Sequence, residues 1–343
     1  MGVDLGDLVI RKTLTLQQLR DKSIAIDGYN ALYQFLTVIR QPDGTPLMDS
    51  RGRITSHLSG IFYRTINLLE EGIKPAYVFD GKPPEIKEME IAKRKALKEE
   101  AIKKYEEALQ AGDIKAARMY AMQAARLKED MVNEVKRLLD AMGIPWVQAP
   151  SEGEAQAAYL AIKGDVWASA SQDYDSILYG APRLIRNLTI SGKRKLPRIE
   201  EYVEIQPELI LLDEVLKQLG LTREQLIDMA ILIGTDYNPD GIKGIGPKRA
   251  YNLIKQYNTL ENVLKHLPEA HFPVSPQIIR EAFLKPEVTD NYTIKWMSID
   301  RDKVIEILVE EHDFSKDRVE KALNKVEEAL RKTGKQTGLD QWF

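Results

Sequence analysis

Four short apolar runs stand out along the first half of the chain, each closed by acidic residues and turn formers: SIAID before GYN, AYVFD before GKPP, IPWVQ before APSEGE, and VWASA before SQDYD. Runs of this length, rich in Ile, Val, Ala and aromatics and bounded by Gly, Pro, Asp or Ser, predict buried strands. The stretches between them are long enough for helices, and such alternation predicts a mainly parallel sheet with helices on both faces. Strands are expected at 22–26, 76–79, 144–147, 166–170 and 184–185, with helices over Ser56–Glu70 and from Glu152 onward.

The pattern changes between 85 and 142, where Ala, Lys, Arg, Glu and Met dominate and proline is missing. Leu97, Ala101, Tyr105 and Leu109 recur four apart and give a narrow apolar stripe. Gly112-Asp113 divides the stretch into two helices, the second starting at Ile114. Strand–helix alternation resumes afterwards, so the helical pair reads as an insertion in one α/β domain. Beyond Gln206 the chain becomes mainly helical, with a capping box at Thr222–Gln225, irregular connections at Pro268, Pro273 and Pro276, and a charged helix over Lys316–Lys332.

Composition alters this picture little. With 343 residues, 43% hydrophobic and 29% charged, the chain suits a folded enzyme-sized protein. A net charge of −3 does not announce nucleic acid, but segregation of charge matters more than its sum. No cysteine is present, which excludes disulfides, cysteine zinc sites and a cysteine nucleophile. The opening MGVDLGDLV is no signal peptide, and Gly6 stands where a myristoylation signal wants Ser or Thr. No apolar run reaches membrane-spanning length, so a soluble, intracellular (cytoplasmic) protein is expected. Abundant Lys, Glu and Ile without Cys lean toward a thermophile.

The chemistry lies at the predicted strand ends. Asp27, Asp80, Glu152, Glu154, Asp173 and Asp175 each follow a strand-like run, and Asp236 follows the apolar stretch MAILIGT. In open α/β sheets the carboxyl ends of parallel strands form the ligand edge, so these seven would converge. That many carboxylates cannot stay ionised together without cations. An all-oxygen set favours Mg²⁺ or Mn²⁺ over Zn²⁺, which reads as a two-metal phosphodiesterase site. Each piece also has a plainer reading. Asp173 and Asp175, two apart on extended chain, would share one face, yet an Asp ending a strand is commonly a turn residue. Ser151 to Glu154 fits a helix capping box. Asp27 and Asp80 precede glycines, as turn residues do. The combination favours metal binding.

A second signal is GIKGIGPKRA. Gly241, Gly244 and Gly246 allow close backbone approach, Pro247 suits the first helical position, and Lys248 and Arg249 stand beside them. Such a turn suits phosphate at a helix N-terminus, and it lacks the nucleotide-cofactor fingerprints. A tight helix–helix turn is the alternative. Lys87, Lys93, Arg94 and Lys95 start the helical insertion just past Asp80, where cations could meet a reacting phosphodiester or simply form a solvated face. Arg40, Arg64 and Tyr33 could touch nucleic acid, although Tyr33 could equally be core.

With these motifs in place, the chain resembles the archaeal flap endonucleases, structure-specific 5′ nucleases of the XPG family, over essentially its whole length. MGVDLGDLV, IAIDGYNALYQFL, YVFDGKPPEIK, APSEGEAQAA, SQDYDSILYG and GTDYNPDGIKGIGPKRAYNLIK carry the resemblance. It implies a two-metal site from the seven carboxylates, Lys87 and Arg94 as catalytic residues at the base of a helical arch, and a 5′ flap passing beneath or through that arch. It implies that Tyr33 stacks on the terminal base pair. It also implies that 241–330 begins with a DNA-binding helix–two-turn–helix, where a monovalent cation can sit. The loop there is one residue longer before its glycines than in eukaryotic relatives.

The expected organisation is a single nuclease domain over 1–330, made of 1–84, an arch at 85–130, an internal part at 131–240 and a helical DNA-binding part at 241–330. A tail over 331–343 follows. In that tail, Gln336, Leu339, Trp342 and Phe343 resemble the peptide that docks on the PCNA sliding clamp, and a chain stopping there fits an archaeal source. The implied activity is Mg²⁺-dependent 5′ flap endonuclease with 5′→3′ exonuclease, in replication (Okazaki fragment maturation) and repair. The implied partners are flapped or nicked DNA and the clamp, with the enzyme a monomer. The rival readings are a relative acting mainly as a 5′→3′ exonuclease and a non-catalytic DNA adaptor that recruits a clamp.

Overall fold

Five parallel strands form the heart of the protein: β2 (Ser23–Asp27), β3 (Lys74–Phe79), β4 (Trp146–Gln148), β5 (Ala168–Ala170) and β6 (Arg183–Arg186). They are seen in a computed structural model, which describes residues 2–6, 8–41, 44–124, 127–190, 192–195 and 202–332. Two antiparallel strands, β1 (Lys12–Thr13) and β9 (Glu208–Leu211), complete one edge, in the order β1-β9-β6-β5-β2-β3-β4. A separate antiparallel pair joins β7 (Gly192–Lys195) and β8 (Tyr202–Ile205).

Period-two alternation sets the layers. Ile24, Ile26, Tyr77 and Phe79 enter one core with residues of α1 (Gly28–Val38), α2 (Ser56–Glu70), α5 (Glu129–Ala141) and α14 (Lys316–Lys332). Ala25 and Val78 point to the opposite face, against α6 (Gly153–Lys163). Strands buried on both faces are near-continuous apolar runs for this reason.

A second core gathers α7 (Asp175–Leu178), α8 (Leu212–Leu219), α9 (Arg223–Ile233), α10 (Pro247–Tyr257), α11 (Leu260–Lys265) and α12 (Pro276–Leu284). The segment 285–300 lies along the β4 side. Trp296 donates to the Pro75 carbonyl at 2.7 Å, and the Met297 amide donates to the Gly143 carbonyl at 2.8 Å. A short helix, α13 (Arg301–Ile305), leads toward α14. Between β3 and β4 stand α3 (Glu88–Gln110) and α4 (Ile114–Gln123), parted at Gly112, whose φ of 71° suits glycine. Among the described residues no helix is long and apolar enough to cross a membrane.

Most expected elements lie within two residues of the observed ones. The chain after Gln206 is mainly helical as expected, after a short strand at 208–211 that pairs with β6 and β1. One expectation is corrected. Asp173 and Asp175 do not share an extended strand. β5 ends at Ala170, Asp173 lies in a turn whose amide donates to the Ser171 hydroxyl at 3.2 Å, and Asp175 opens α7. A carboxylate is at home in the first turn of a helix.

Candidate active site

Each of the seven acidic residues sits where a strand or helix hands over to a turn, and most have an orienting partner. Asp27 ends β2 and caps α1, its Oδ1 accepting the Asn30 amide at 2.9 Å. Asp80 follows β3 and accepts the Gly153 amide at 2.6 Å. A Cβ on Gly153 would lie 2.6 Å from that same oxygen, so the close approach requires glycine. Asp175 accepts the Val3 amide at 2.9 Å, and a Cβ on Gly2 would collide with it at 2.6 Å. Asp173 receives the Asn30 side-chain amide at 3.4 Å.

Glu152, not Ser151, is the N-cap of α6, and no side-chain cap bond forms. Its Oε2 instead takes the Lys87 ammonium at 2.6 Å. Lys87 also lies 3.0 Å from Asp236, and Arg94 Nη2 lies 3.1 Å from both Asp236 oxygens. Arg94 is further held by Glu90, one turn earlier on α3. The two cations at the base of the helical insertion are thereby drawn onto two of the seven carboxylates.

The charges of these carboxylates act on one another. Burial pushes the Asp27 carboxyl well above its usual range, helped by the charge of Asp80. Burial and Glu152 raise Asp80 to about 6, and burial with Asp236 raises Asp175 to about 7. Glu154 is raised by burial and then by Asp175, Asp173 and Asp27. Asp236 is the exception. Burial alone would raise it, but nearby positive charges, Lys87 first and Arg94 among them, outweigh burial and hold it low. Lys87 is the mirror image: burial would lower it, and Asp236 and Glu152 hold it well above the ordinary lysine value.

Such a set fits divalent cations in its chemistry. Every donor is a hard oxygen, the buried carboxylates repel one another, and the buried Oε1 of Glu154 has no hydrogen-bond partner. The side chains are not pre-drawn: among the described residues no three acidic or histidine side chains already meet as an ion-holding group. Lys87 and Arg94 provide part of the compensating charge.

The other expected residues sit on α1, α2 and α10 or beside them. Tyr33, half-buried on α1, has the Lys98 ammonium 4.5 Å from its ring centre and lines a groove of about 390 Å³ with Arg94 and Lys95. Arg40 donates to the carbonyls of Leu36 at 2.9 Å and Gly44 at 2.8 Å, which anchors its own hairpin. Arg64 lines a groove of about 310 Å³ between α1 and α2. Gly244 has φ of 80°, Gly246 caps α10 with Pro247 at its first position, and Lys248 and Arg249 are exposed beside them. Gln336, Leu339, Trp342 and Phe343 lie outside the described residues. Sequence reasoning missed Gly2, Asn30 and Gly153. Of these only Asn30 left a signal, as a polar residue three past a helix-capping Asp.

Comparison with known proteins follows this geometry. The XPG N-terminal domain matches residues 5–101 and the XPG I-region matches 143–236. Flap endonuclease 1 of Staphylothermus marinus is 64% identical, with all of both chains covered. That of Pyrococcus furiosus is 57% identical over all of this chain and 99% of its own. Among solved structures, flap endonuclease-1 from Methanococcus jannaschii covers 97% of this chain at a TM-score of 0.76 and 46% identity. The catalytic core of Rad2 in complex with DNA substrate covers 95% at 0.71 and 25% identity. Shared motifs, sheet and full-length identity agree, and the chain belongs to the flap endonucleases of the XPG family.

Proposed function

We propose that the seven carboxylates at the strand ends hold the divalent cations of this nuclease. The observation that carries the reading is their convergence: carboxylates from five separate turns of the chain lie close enough to raise one another's charge cost. The chain is a DNA-cleaving hydrolase of a metal-dependent family that acts in replication and repair. Its reaction is hydrolysis of a phosphodiester at the junction of duplex and 5′ single strand. Mg²⁺ is the cation assigned, two per site, with Mn²⁺ able to substitute; bound there, the ions supply the charge that activates water and stabilises the leaving oxygen.

The protein's own groups position the strand. Lys87 and Arg94 stand at the base of α3 with their cationic ends in the cleft, placed to swing from Glu152 and Asp236 onto phosphate oxygens. Tyr33 offers a ring face to the terminal base pair, and the α3–α4 arch guides the 5′ flap. Exposed Lys248 and Arg249, with the amides near Gly244 and Gly246, grip duplex backbone without reading sequence. A monovalent cation at that loop would reinforce the grip. Arg64 adds a phosphate contact from α2, whereas the bonds of Arg40 favour a structural role. The tail 336–343 docks on a sliding clamp, and the enzyme works as an intracellular monomer.

The test is cleavage of flapped, nicked and blunt duplexes with and without Mg²⁺, in wild type and Asp173→Asn. We expect Mg²⁺-dependent cutting at the flap junction, abolished in the variant, with flapped-DNA binding largely kept because phosphate contacts lie elsewhere. Near wild-type cleavage by Asp173→Asn would remove the residue from the metal site. Preference for blunt ends would favour an exonuclease, and no cleavage at all an adaptor.

A further inference from the structure

Six of the seven carboxylates are oriented by backbone amides, by the helix ends they occupy, or by Lys87. Asp173 differs, because the hydrogen bond to its carboxylate comes from a neutral side-chain amide. Its Oδ2 accepts from the side-chain amide of Asn30, which reaches it from α1 across 143 residues of sequence.

That amide is itself held in one sense. The carbonyl of Asn30 accepts from the Gln34 amide at 2.8 Å, one turn along the helix. The carbonyl of Gln34 accepts from the Thr189 hydroxyl at 2.6 Å. Thr189 is 6% exposed, in the turn that follows β6. Every donor in this series points toward the carboxylate: hydroxyl to amide carbonyl, amide to amide carbonyl, amide to Asp173. A reversed Asn30 would present its carbonyl to the carboxylate and its NH2 to another NH2. The order of donors therefore fixes both amides, and aligned bonds strengthen one another. The Asn30 backbone amide meanwhile holds Asp27, so one residue touches two carboxylates that arrive from different strands.

We propose that Asn30 is the positioning residue for Asp173, locked by Gln34 and Thr189, and that it sets the affinity of the site for divalent cations. The inference rests on the metal-site reading above. Partners that orient a metal ligand commonly contribute roughly 10- to 100-fold to metal affinity. Asparagine is suited to the place because it donates to the anion without adding charge. An aspartate there would put a further carboxylate beside Asp173 and Asp27.

The experiment measures Mn²⁺ binding by calorimetry on the full chain without DNA, alongside single-turnover cleavage over a Mg²⁺ titration and thermal melting in chelator. Asn30→Ala should weaken Mn²⁺ binding roughly 10- to 100-fold and raise the Mg²⁺ needed for half-maximal rate to match. Melting in chelator and flapped-DNA affinity should change little. Gln34→Leu should move metal binding in the same direction by less. If Asn30→Ala binds Mn²⁺ as wild type does, the inference fails. If it loses rate at every Mg²⁺ concentration in step with a lower melting temperature, Asn30 is merely structural and the inference also fails. Asp173→Asn separates the two levels: should it too bind Mn²⁺ normally, the metal-site reading itself is wrong.

Discussion

Replacing Asp175 by asparagine should stabilise the metal-free protein while abolishing cleavage. Burial and the charge of Asp236 hold the Asp175 carboxyl at about 7 in the folded state, against 3.8 for the free side chain. A carboxyl raised on folding favours the folded state in its protonated form. Its contribution is therefore complete below about pH 4 and is lost as pH rises through about 7. That difference corresponds to about 4 kcal/mol, so the ionised carboxylate destabilises the chelated protein by up to that amount at pH 8. Asparagine keeps the shape and the oxygen that accepts the Val3 amide, and it removes the charge. With an unfolding entropy of about 2 cal/mol/K per residue, the gain at pH 8 is about 6 °C in melting temperature, shrinking toward zero near pH 4. Saturating Mg²⁺ should reverse the order, because only the intact site gains binding free energy. The assay is thermal melting of both proteins at pH 4.5 and pH 8, with chelator and with Mg²⁺. A variant that melts at or below wild type in chelator at pH 8 would refute the reasoning.

Two further outcomes follow. Alanine at Lys87 or Arg94 should lower the single-turnover rate by roughly 10²–10³ with little change in DNA affinity; a loss of affinity alone would make them ordinary phosphate contacts. In the tail, alanine at both Trp342 and Phe343 should remove stimulation by the sliding clamp and leave clamp-free cleavage of short flaps intact; parallel loss of both activities would tie the tail to the fold.

The strand ends were legible because their signal is local: an apolar run, then Asp and Gly, needs no partner to be read. The arrangement within the site was less so. The S-x-x-E pattern at Ser151 predicts a cap one residue early: the N-cap of α6 is Glu152, whose carboxylate goes to Lys87, 65 residues earlier in the chain. Asp173-x-Asp175 suggests one strand face, but the Ser171 hydroxyl draws the chain into a turn that only the folded sheet places. The run at 208–211 is too short to separate strand from helix, and its strand pairing depends on β6, which lies at 183–186. Arg40 reads as a free cation until its hairpin closes and supplies the Gly44 carbonyl. Each miss involves a partner distant in sequence or a loop whose closure the local pattern does not encode.

The same separation explains why a net charge of −3 is compatible with a DNA enzyme. Acidic residues that matter to the chemistry are withdrawn into the cleft, where burial and mutual repulsion neutralise part of their charge. The cations do the reverse. Lys93, Arg94, Lys95 and Lys98 ride on α3, and Lys248 and Arg249 stand exposed at the start of α10. On the proposed reading, a phosphate backbone would meet these exposed cations before the carboxylates. Lys87 and Arg94 belong to both systems, since the carboxylates that hold them now are the ones a divalent cation would claim. Metal entry would weaken the hold of Glu152 and Asp236 on the two side chains and release their charge toward the substrate. On the proposed metal assignment, cation binding and phosphate capture would be coupled through two side chains at the base of one helix.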